Sequence, residues 1–249
     1  MATFQPQDIR LRVKTELCVY RSERRETMDV TEAIVKRKSI RGYKPDPVPK
    51  EVLREILEIA SRSPSANNTQ PWEVVVITGE VLENIKRGNA EMEASGIAPH
   101  PYVGRAAFEG IYKQRQVDVA IQLYELMGIA REDREKRAHW EQRGRHYFDA
   151  PVALILYIDK SLKGPLSILD IGSFIHAICL TAWSYGLGTC VMNQAVFYPE
   201  VVSKFAHLPE SKHLIIGISI GYPDWDFPAN KIQTTRESVE NFVTWHGFD

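Results

Sequence analysis

A long apolar segment, residues 166–185, constrains the fold of this chain more than any other feature of the sequence. Its pattern predicts a helix whose apolar side chains, such as Phe174, Ile178 and Trp183, cover most of the circumference. A helix of that kind is buried on several sides, and in a chain of 249 residues such burial suggests contact with a second subunit. Because the segment also contains Asp170, we expect a buried helix and no membrane span.

Composition and charge exclude several classes of protein. Hydrophobic residues make up 44% of the chain and charged residues 25%, as in ordinary globular proteins. The formal net charge is −1 and no long basic run is present, so nucleic-acid binding has little electrostatic support. Arg10, Arg12 and Lys14 interrupt any apolar core of a signal peptide, and we therefore expect a cytoplasmic protein.

The cysteines and histidines form no recognisable metal site. Cys18, Cys179 and Cys190 are scattered and show neither a Cys-x-x-Cys pair nor a zinc spacing, so we expect isolated thiols in a reducing compartment. The 7 histidines form no His-Glu-x-x-His or His-x-x-x-His pattern. The sequence therefore predicts no bound metal.

Short apolar segments alternate with helical patterns, which predicts a sheet flanked by helices. The predicted strands are residues 73–78, 152–158, 189–192 and 214–220. The pattern alone does not determine the order or direction of the strands, so the fold class is α+β or α/β.

The domain organisation predicted from the sequence has an extension, one main domain and an insertion. Residues 1–27 are polar and highly charged, which is typical of an N-terminal arm, and residues 28–249 are predicted to form a single domain. Within that domain, residues 89–148 separate two strands without contributing one. We interpret them as a lid over the core, with two ordinary surface helices as the alternative.

Two polar segments indicate what the domain binds. Residues 63–72 (SPSANNTQPW) offer many neutral hydrogen-bond donors and acceptors and no charge, which suits a planar, polar-edged heterocycle. Residues 37–41 (RKSIR) combine several cations with a hydroxyl, which suits a phosphate. Together the two segments suggest a phosphorylated heteroaromatic cofactor.

Four segments in this order resemble the motifs of the FMN-dependent nitroreductase family, and in particular its nitrobenzoate-reductase-like branch. They are residues 37–43 (RKSIRGY), 63–72, 186–190 (GLGTC) and 221–223 (GYP). The resemblance implies an α+β nitroreductase-like fold with a central, mixed but mostly antiparallel sheet flanked by helices. It also implies an interlocked homodimer that exchanges C-terminal arms and holds FMN at the subunit interface. From the charge and hydropathy of the sequence we expect no membrane or nucleic-acid partner.

The resemblance also implies which residues contact FMN. Guanidinium groups would bind its phosphate, the neutral loop would reach the flavin from the second subunit, and the end of the third strand would lie beside the ring. The last group departs from the common family pattern, since Asn193 and Gln194 stand where many members have Gly or Glu. The implied cofactor-binding residues are Arg37, Lys38, Ser39, Arg41, Pro64, Ser65, Ala66, Asn68, Val191, Met192, Asn193, Gln194, Lys231 and Arg236.

In such an enzyme the flavin carries the chemistry, so the resemblance implies no catalytic side chain. It implies a ping-pong cycle in which NAD(P)H delivers hydride to flavin N5 and an electron-poor acceptor, such as a nitroaromatic, then takes two electrons in the same pocket. The lid offers aromatic and cationic side chains for that acceptor, and Tyr112, Arg115 and Tyr124 are the candidates.

Other functions are compatible with the same sequence features. One is a non-catalytic flavin-binding or sensor protein, and another is a reductive dehalogenase or an enone reductase with the same fold. The large lid favours a second ligand and therefore an enzyme.

Overall fold

The structure of the chain is a computed structural model that describes residues 28–104 and 106–248. The chain divides into two compact units, Met1–Arg37 and Lys38–Asp249, and only residues 28–37 of the first are described. The predicted N-terminal extension, residues 1–27, lies outside the described residues. Helix α1 (Val30–Lys36) belongs to the first unit and begins after Asp29, whose carboxylate accepts a hydrogen bond from the Thr31 N–H at 2.8 Å.

The described part of the second unit is built on a four-stranded sheet in the spatial order β1-β2-β4-β3. Every pairing between these strands is antiparallel, and parallel pairing in the described residues is limited to one bridge between Ser39 and Thr189. The resemblance implies a mixed, mostly antiparallel sheet; the four described strands pair only in the antiparallel sense, and the parallel bridge joins β3 to Ser39, which belongs to no strand. The strands are β1 (Glu73–Thr78), β2 (Val152–Asp159), β3 (Gly188–Met192) and β4 (Lys212–Gly221).

Helices cover both faces of the sheet. They are α2 (Lys50–Ala60), α3 (Gly79–Ala94), α4 (Gly110–Leu126), α5 (Arg134–Arg145), α6 (Leu166–Ser184) and α7 (Pro199–Phe205). Strand β2 shows how the two cores arise, because successive side chains of a strand point to opposite faces. Ile155 packs into the core that contains α3 and the end of β3, whereas Leu154 and Leu156 pack into the core formed with α2 and α6.

Helix α6 confirms the long apolar helix predicted from the sequence. By length and composition it could cross a membrane, but Ile171, Phe174 and Ile178 are buried in the core shared with α2 and the sheet. Two further leucines on this helix remain exposed, since Leu166 keeps 61% and Leu169 keeps 67% of their surface accessible within one subunit.

The predicted lid, residues 89–148, divides into parts with different roles. Its first six residues continue α3, and its C-terminal end places Trp140, Tyr147 and Phe148 in the core. These large aromatic side chains bury more apolar surface against the sheet than they could in a lid. Residues 99–104 run beside the end of β3 and are the part that lies closest to the candidate site.

Candidate functional site

The segment 38–43 is anchored along the edge of β3. Ile40 is fully buried, its N–H donates to the Thr189 carbonyl at 3.0 Å, and the Tyr43 hydroxyl hydrogen-bonds to Ser219 Oγ at 2.8 Å. These contacts leave the side chains of Lys38, Ser39 and Arg41 half-buried beside the strand. Burial lowers the pKa of the Lys38 ammonium, because desolvation penalises the charged form.

A buried asparagine ties this segment to the C-terminal part of the chain. Asn230 Oδ1 accepts from the Arg41 N–H at 2.7 Å, and its Nδ2 donates to the carbonyls of Gly42 and Asp224, each at 2.7 Å. The side chain is 1% exposed. Three hydrogen bonds from one buried amide fix the backbone on both sides of Arg41.

The two predicted cations of the C-terminal segment are exposed. Arg236 Nη1 donates to Thr234 Oγ1 at 2.9 Å and to the Thr235 carbonyl at 2.8 Å, so its guanidinium folds back on its own loop. Lys231 lies at the end of the short helix Pro228–Lys231. Arg37, the remaining predicted phosphate ligand, belongs to the first unit and follows α1.

A cavity of about 510 Å³ opens at the end of β3, and we call it the strand-end cavity. Its walls include all four predicted residues of this region: Val191, Met192, Asn193 and Gln194. The opposite wall is the segment 99–104, whose Val103 carbonyl accepts from Asn193 Nδ2 at 3.4 Å.

Asn193 Oδ1 is buried and has no hydrogen-bond partner among the residues that the structure describes. A buried amide oxygen without a partner is costly, so this acceptor is suited to a donor from a bound ligand.

Two residues of α5 support the site and were not found from the sequence. A Cβ on Gly144 would lie 2.7 Å from Gln194 Nε2, so this glycine lets the helix pack directly against the Gln194 amide. Arg143 donates to the Arg41 carbonyl at 3.4 Å, pairs with Asp149 at 2.8 Å and lies 4.8 Å above the Phe227 ring. No short motif marks either residue, because α5 is highly polar and its buried stripe is narrow.

The neutral loop, residues 63–72, is docked on helix α6. The Ala66 N–H donates to both carboxylate oxygens of Asp170, at 3.3 and 3.2 Å, and Trp72 stacks on Phe174 at a centroid distance of 4.8 Å. Ser65 Oγ accepts from the Gln70 N–H at 3.0 Å.

The backbone of this loop is unusual as well. Asn67, Asn68 and Gln70 have positive φ values of 50°, 58° and 47°. Asparagine tolerates this left-handed conformation better than most residues, so the two consecutive asparagines suit the local geometry.

The predicted site residues of the second unit thus form two groups. Lys38, Ser39, Arg41 and residues 191–194 lie along β3, whereas residues 64–68 lie on α6. Within the described part of the chain, no hydrogen bond or ion pair joins the two groups.

The three predicted acceptor residues occupy different environments. Tyr112 keeps 65% of its surface exposed, and Arg115 pairs with Glu237 of the C-terminal segment. Tyr124 packs against the core, with the Arg137 guanidinium 4.9 Å from its ring centroid.

No group of three or more His, Cys, Asp and Glu side chains among the described residues is arranged to hold a metal ion.

Comparisons with known proteins identify the fold and the family. The model of the nitroreductase family matches residues 34–222. A 4-nitrobenzoate reductase from Pseudomonas putida is 31% identical over 229 residues, which cover 90% of this chain and 98% of that protein.

Two crystal structures are also similar to the chain. The FMN and NADPH-dependent nitroreductase NfnB from sphigopyxis sp. strain HMH has a TM-score of 0.84 at 29% identity, covering 89% of this chain and 100% of that one. The FMN-dependent nitroreductase NfnB from Mycobacterium smegmatis in complex with NADPH has a TM-score of 0.81 at 25% identity, covering 88% of this chain and 100% of that one.

Proposed function

The chain belongs to the nitroreductase family, and we propose that it is an FMN-dependent NAD(P)H oxidoreductase that reduces nitroaromatic or related electron-poor acceptors. The observation that carries this proposal is the strand-end cavity, in which a neutral amide pair ends β3 opposite the segment 99–104. Its volume of about 510 Å³ falls within the range of about 300–1,000 Å³ that is typical of small-molecule sites.

The residues present fit FMN. A flavin ring has donors and acceptors along its edge, and the buried, unpartnered Asn193 Oδ1 supplies an acceptor of the kind that such an edge requires. The half-buried ammonium of Lys38 supplies a positive charge beside the same strand. The neutral loop contributes no charge, in agreement with contact to a ring rather than to a phosphate.

We assign roles to the predicted residues accordingly. Arg37, Arg41, Lys231 and Arg236 would bind the phosphate, and Lys38 and Ser39 would contact the ribityl chain or the pyrimidine edge. Residues 191–194 would lie beside the ring. Bound FMN would supply the two-electron chemistry, accepting hydride from NAD(P)H and passing it to the acceptor in a ping-pong cycle.

We further propose that a second copy of the chain completes the site. The neutral loop makes its described contacts with α6 and not with β3, so a partner subunit is needed to bring Pro64, Ser65, Ala66 and Asn68 to the flavin. Exposed apolar side chains on α6 and on the C-terminal segment support a homodimer with exchanged arms. They are Leu166, Leu169, Phe242, Trp245 and Phe248.

The test is anaerobic reduction of the FMN-loaded protein by NADH or NADPH, followed by addition of single acceptors. We expect rapid loss of the oxidised flavin absorbance and its return with 4-nitrobenzoate or nitrobenzene. Parallel additions of a quinone, an iodophenol and an enone define the acceptor class. A protein that retains FMN but is reduced by neither nucleotide would contradict the proposal and favour a non-catalytic flavin-binding protein.

A further inference from the structure

A second cavity, of about 640 Å³, lies beside the strand-end cavity. His100 lines both cavities, so the segment 99–104 forms a wall between them. The volumes of both cavities fall within the range of about 300–1,000 Å³ found for small-molecule sites. The arrangement suits one elongated ligand that passes the wall and occupies both cavities.

The wall between the cavities is held in place from both sides. The His100 N–H donates to the Phe197 carbonyl at 3.0 Å, and its Nε2 lies 2.9 Å from a Glu200 carboxylate oxygen. Tyr102 stacks on His213 of β4 with a centroid distance of 3.8 Å and an interplanar angle of 13°. The wall is therefore a fixed surface against which a ligand can pack.

The second cavity offers an aromatic surface. Tyr102 is 49% exposed although one face of its ring is covered by His213. An exposed aromatic ring that a neighbour holds rigid is suited to stack on a flat heterocycle such as adenine.

The cavity also offers positive charge. Its lining contains three lysines, two histidines and two glutamates. Lys212 is occupied by Glu73 and Asp159, at 2.7 and 3.1 Å, and Glu200 is paired with His100. Lys160 and Lys204 form no ion pair within the described residues, so these two ammonium groups of the lining are available to an anionic group of a ligand.

The separation of the cavities suits a dinucleotide. Met192 of the strand-end cavity pairs with Gly217 of β4, and His213 of the second cavity lies four positions before Gly217. At about 3.3 Å per residue, those four positions span about 13 Å along the strand. Two heterocycles linked through a pyrophosphate can bridge that distance.

We propose that the second cavity binds the adenosine 2′-phosphate end of NADPH while the nicotinamide end occupies the strand-end cavity. This inference rests on the proposed function, because it assigns the co-substrate of the same site. Tyr102 stacks on the adenine, and Lys160 and Lys204 pair with the 2′-phosphate, which NADH lacks. The cavity thereby makes NADPH the preferred hydride donor.

The test compares Lys160→Ala, Lys204→Ala and the double variant with Lys163→Ala, an exposed lysine nearby that does not line the cavity. We expect the double variant to raise the KM for NADPH about tenfold, given the modest strength of accessible ion pairs. The KM for NADH and the kcat should not change, and Lys163→Ala should match the parent protein.

Two further measurements separate the contacts. Tyr102→Leu should raise the KM for NADPH and NADH alike, because both contain adenine. Reduced nicotinamide mononucleotide, which lacks the adenosine end, should show the same KM in all variants. Equal effects of the lysine variants on NADPH and NADH, or no effect on either, would overturn the proposal. Failure of the parent protein to be reduced by either nucleotide would instead remove the proposed function itself.

Discussion

Asp170 on helix α6 accepts the backbone N–H of Ala66 through both of its carboxylate oxygens, at 3.3 and 3.2 Å. The carboxylate is 8% exposed, so it is a buried acidic group whose described hydrogen bonds all go to the neutral loop. The residue that interrupts the most apolar helix of the chain thus positions the loop that we assign to the flavin.

We predict that Asp170→Asn weakens FMN binding without unfolding the protein. The amide keeps the size of the side chain but loses the charge, and a hydrogen bond to a charged group contributes about 1.5–3 kcal/mol. The dissociation constant for FMN should rise about tenfold to a hundredfold. Fluorescence titration of FMN measures it.

The control for that variant is Asp118→Asn, which changes an exposed carboxylate on α4. It should bind FMN as the parent protein does. If Asp170→Asn also binds FMN with unchanged affinity, the loop does not depend on this carboxylate and its assignment to the cofactor is weakened.

Gly144→Ala tests whether α5 positions the Gln194 amide. The new Cβ would lie 2.7 Å from Gln194 Nε2, so the amide must move, while alanine itself favours the helix by about 1 kcal/mol over glycine. We expect a shifted visible flavin spectrum and altered kcat, with thermal stability reduced little or not at all.

Glu141→Ala, which changes an exposed residue on the same helix α5, is the control for that substitution. It should leave the flavin spectrum unchanged. A Gly144→Ala protein with the parent spectrum and kcat would show that the position of Gln194 does not matter to the flavin.

The pKa values of His100, in the segment 99–104, and of His213, which stacks on Tyr102 of that segment, are shifted in opposite directions. The Ala98 carbonyl and then the Glu200 carboxylate raise the pKa of His100 against an opposing desolvation effect, whereas desolvation and then Lys160 lower the pKa of His213. The His100 contacts therefore stabilise the fold fully below about pH 6.5 and lose that effect as the pH rises through the raised pKa. The folded chain binds a proton at His213 less readily than the unfolded chain does. The neutral His213 therefore favours the folded state above about pH 6.5, and this contribution is lost as the pH falls below that value.

NMR titration of the histidine ring protons measures both values. Glu200→Gln should lower the pKa of His100 toward its ordinary value, and Lys160→Ala should raise the pKa of His213. Glu210→Gln should leave the His100 value unchanged. A His100 pKa that does not respond to Glu200→Gln would show that the pair seen at 2.9 Å contributes nothing in solution.

Much of the fold could be predicted from the sequence because its strands are short, nearly continuous apolar runs and helix α2 has a clear apolar face. All four strands were located to within two residues. Helix α3 continues to Ala94, six residues into the segment predicted to form the lid, because the polar residues there are good helix formers although they show no apolar pattern.

The supporting residues of the site were harder to predict. Asp170 and Arg143 act through contacts with segments more than 100 positions away in the chain. A sequence motif contains only residues that are neighbours in the chain, so the loop and the end of β3 could be identified from their resemblance to family motifs. The Asp170 carboxylate and the Arg143 guanidinium, which contact segments at distant positions in the chain, belong to no such motif.

Leu169→Glu tests the role of a second subunit in the site. Leu169 is 67% exposed on α6 in one subunit, and a carboxylate introduced into an apolar interface must be desolvated without a partner. We expect the parent protein to elute as a dimer with bound FMN, and the variant to elute as a folded monomer that has lost FMN, because the neutral loop is then absent from the flavin. Size-exclusion chromatography with light scattering and FMN quantification measure both properties.

The control is Ile121→Glu, which changes a side chain on α4 that is 50% exposed. This variant should remain a flavin-bound dimer. A monomeric Leu169→Glu protein that keeps its FMN would show that one chain suffices for the cofactor, and a dimer that keeps its FMN would place the interface elsewhere.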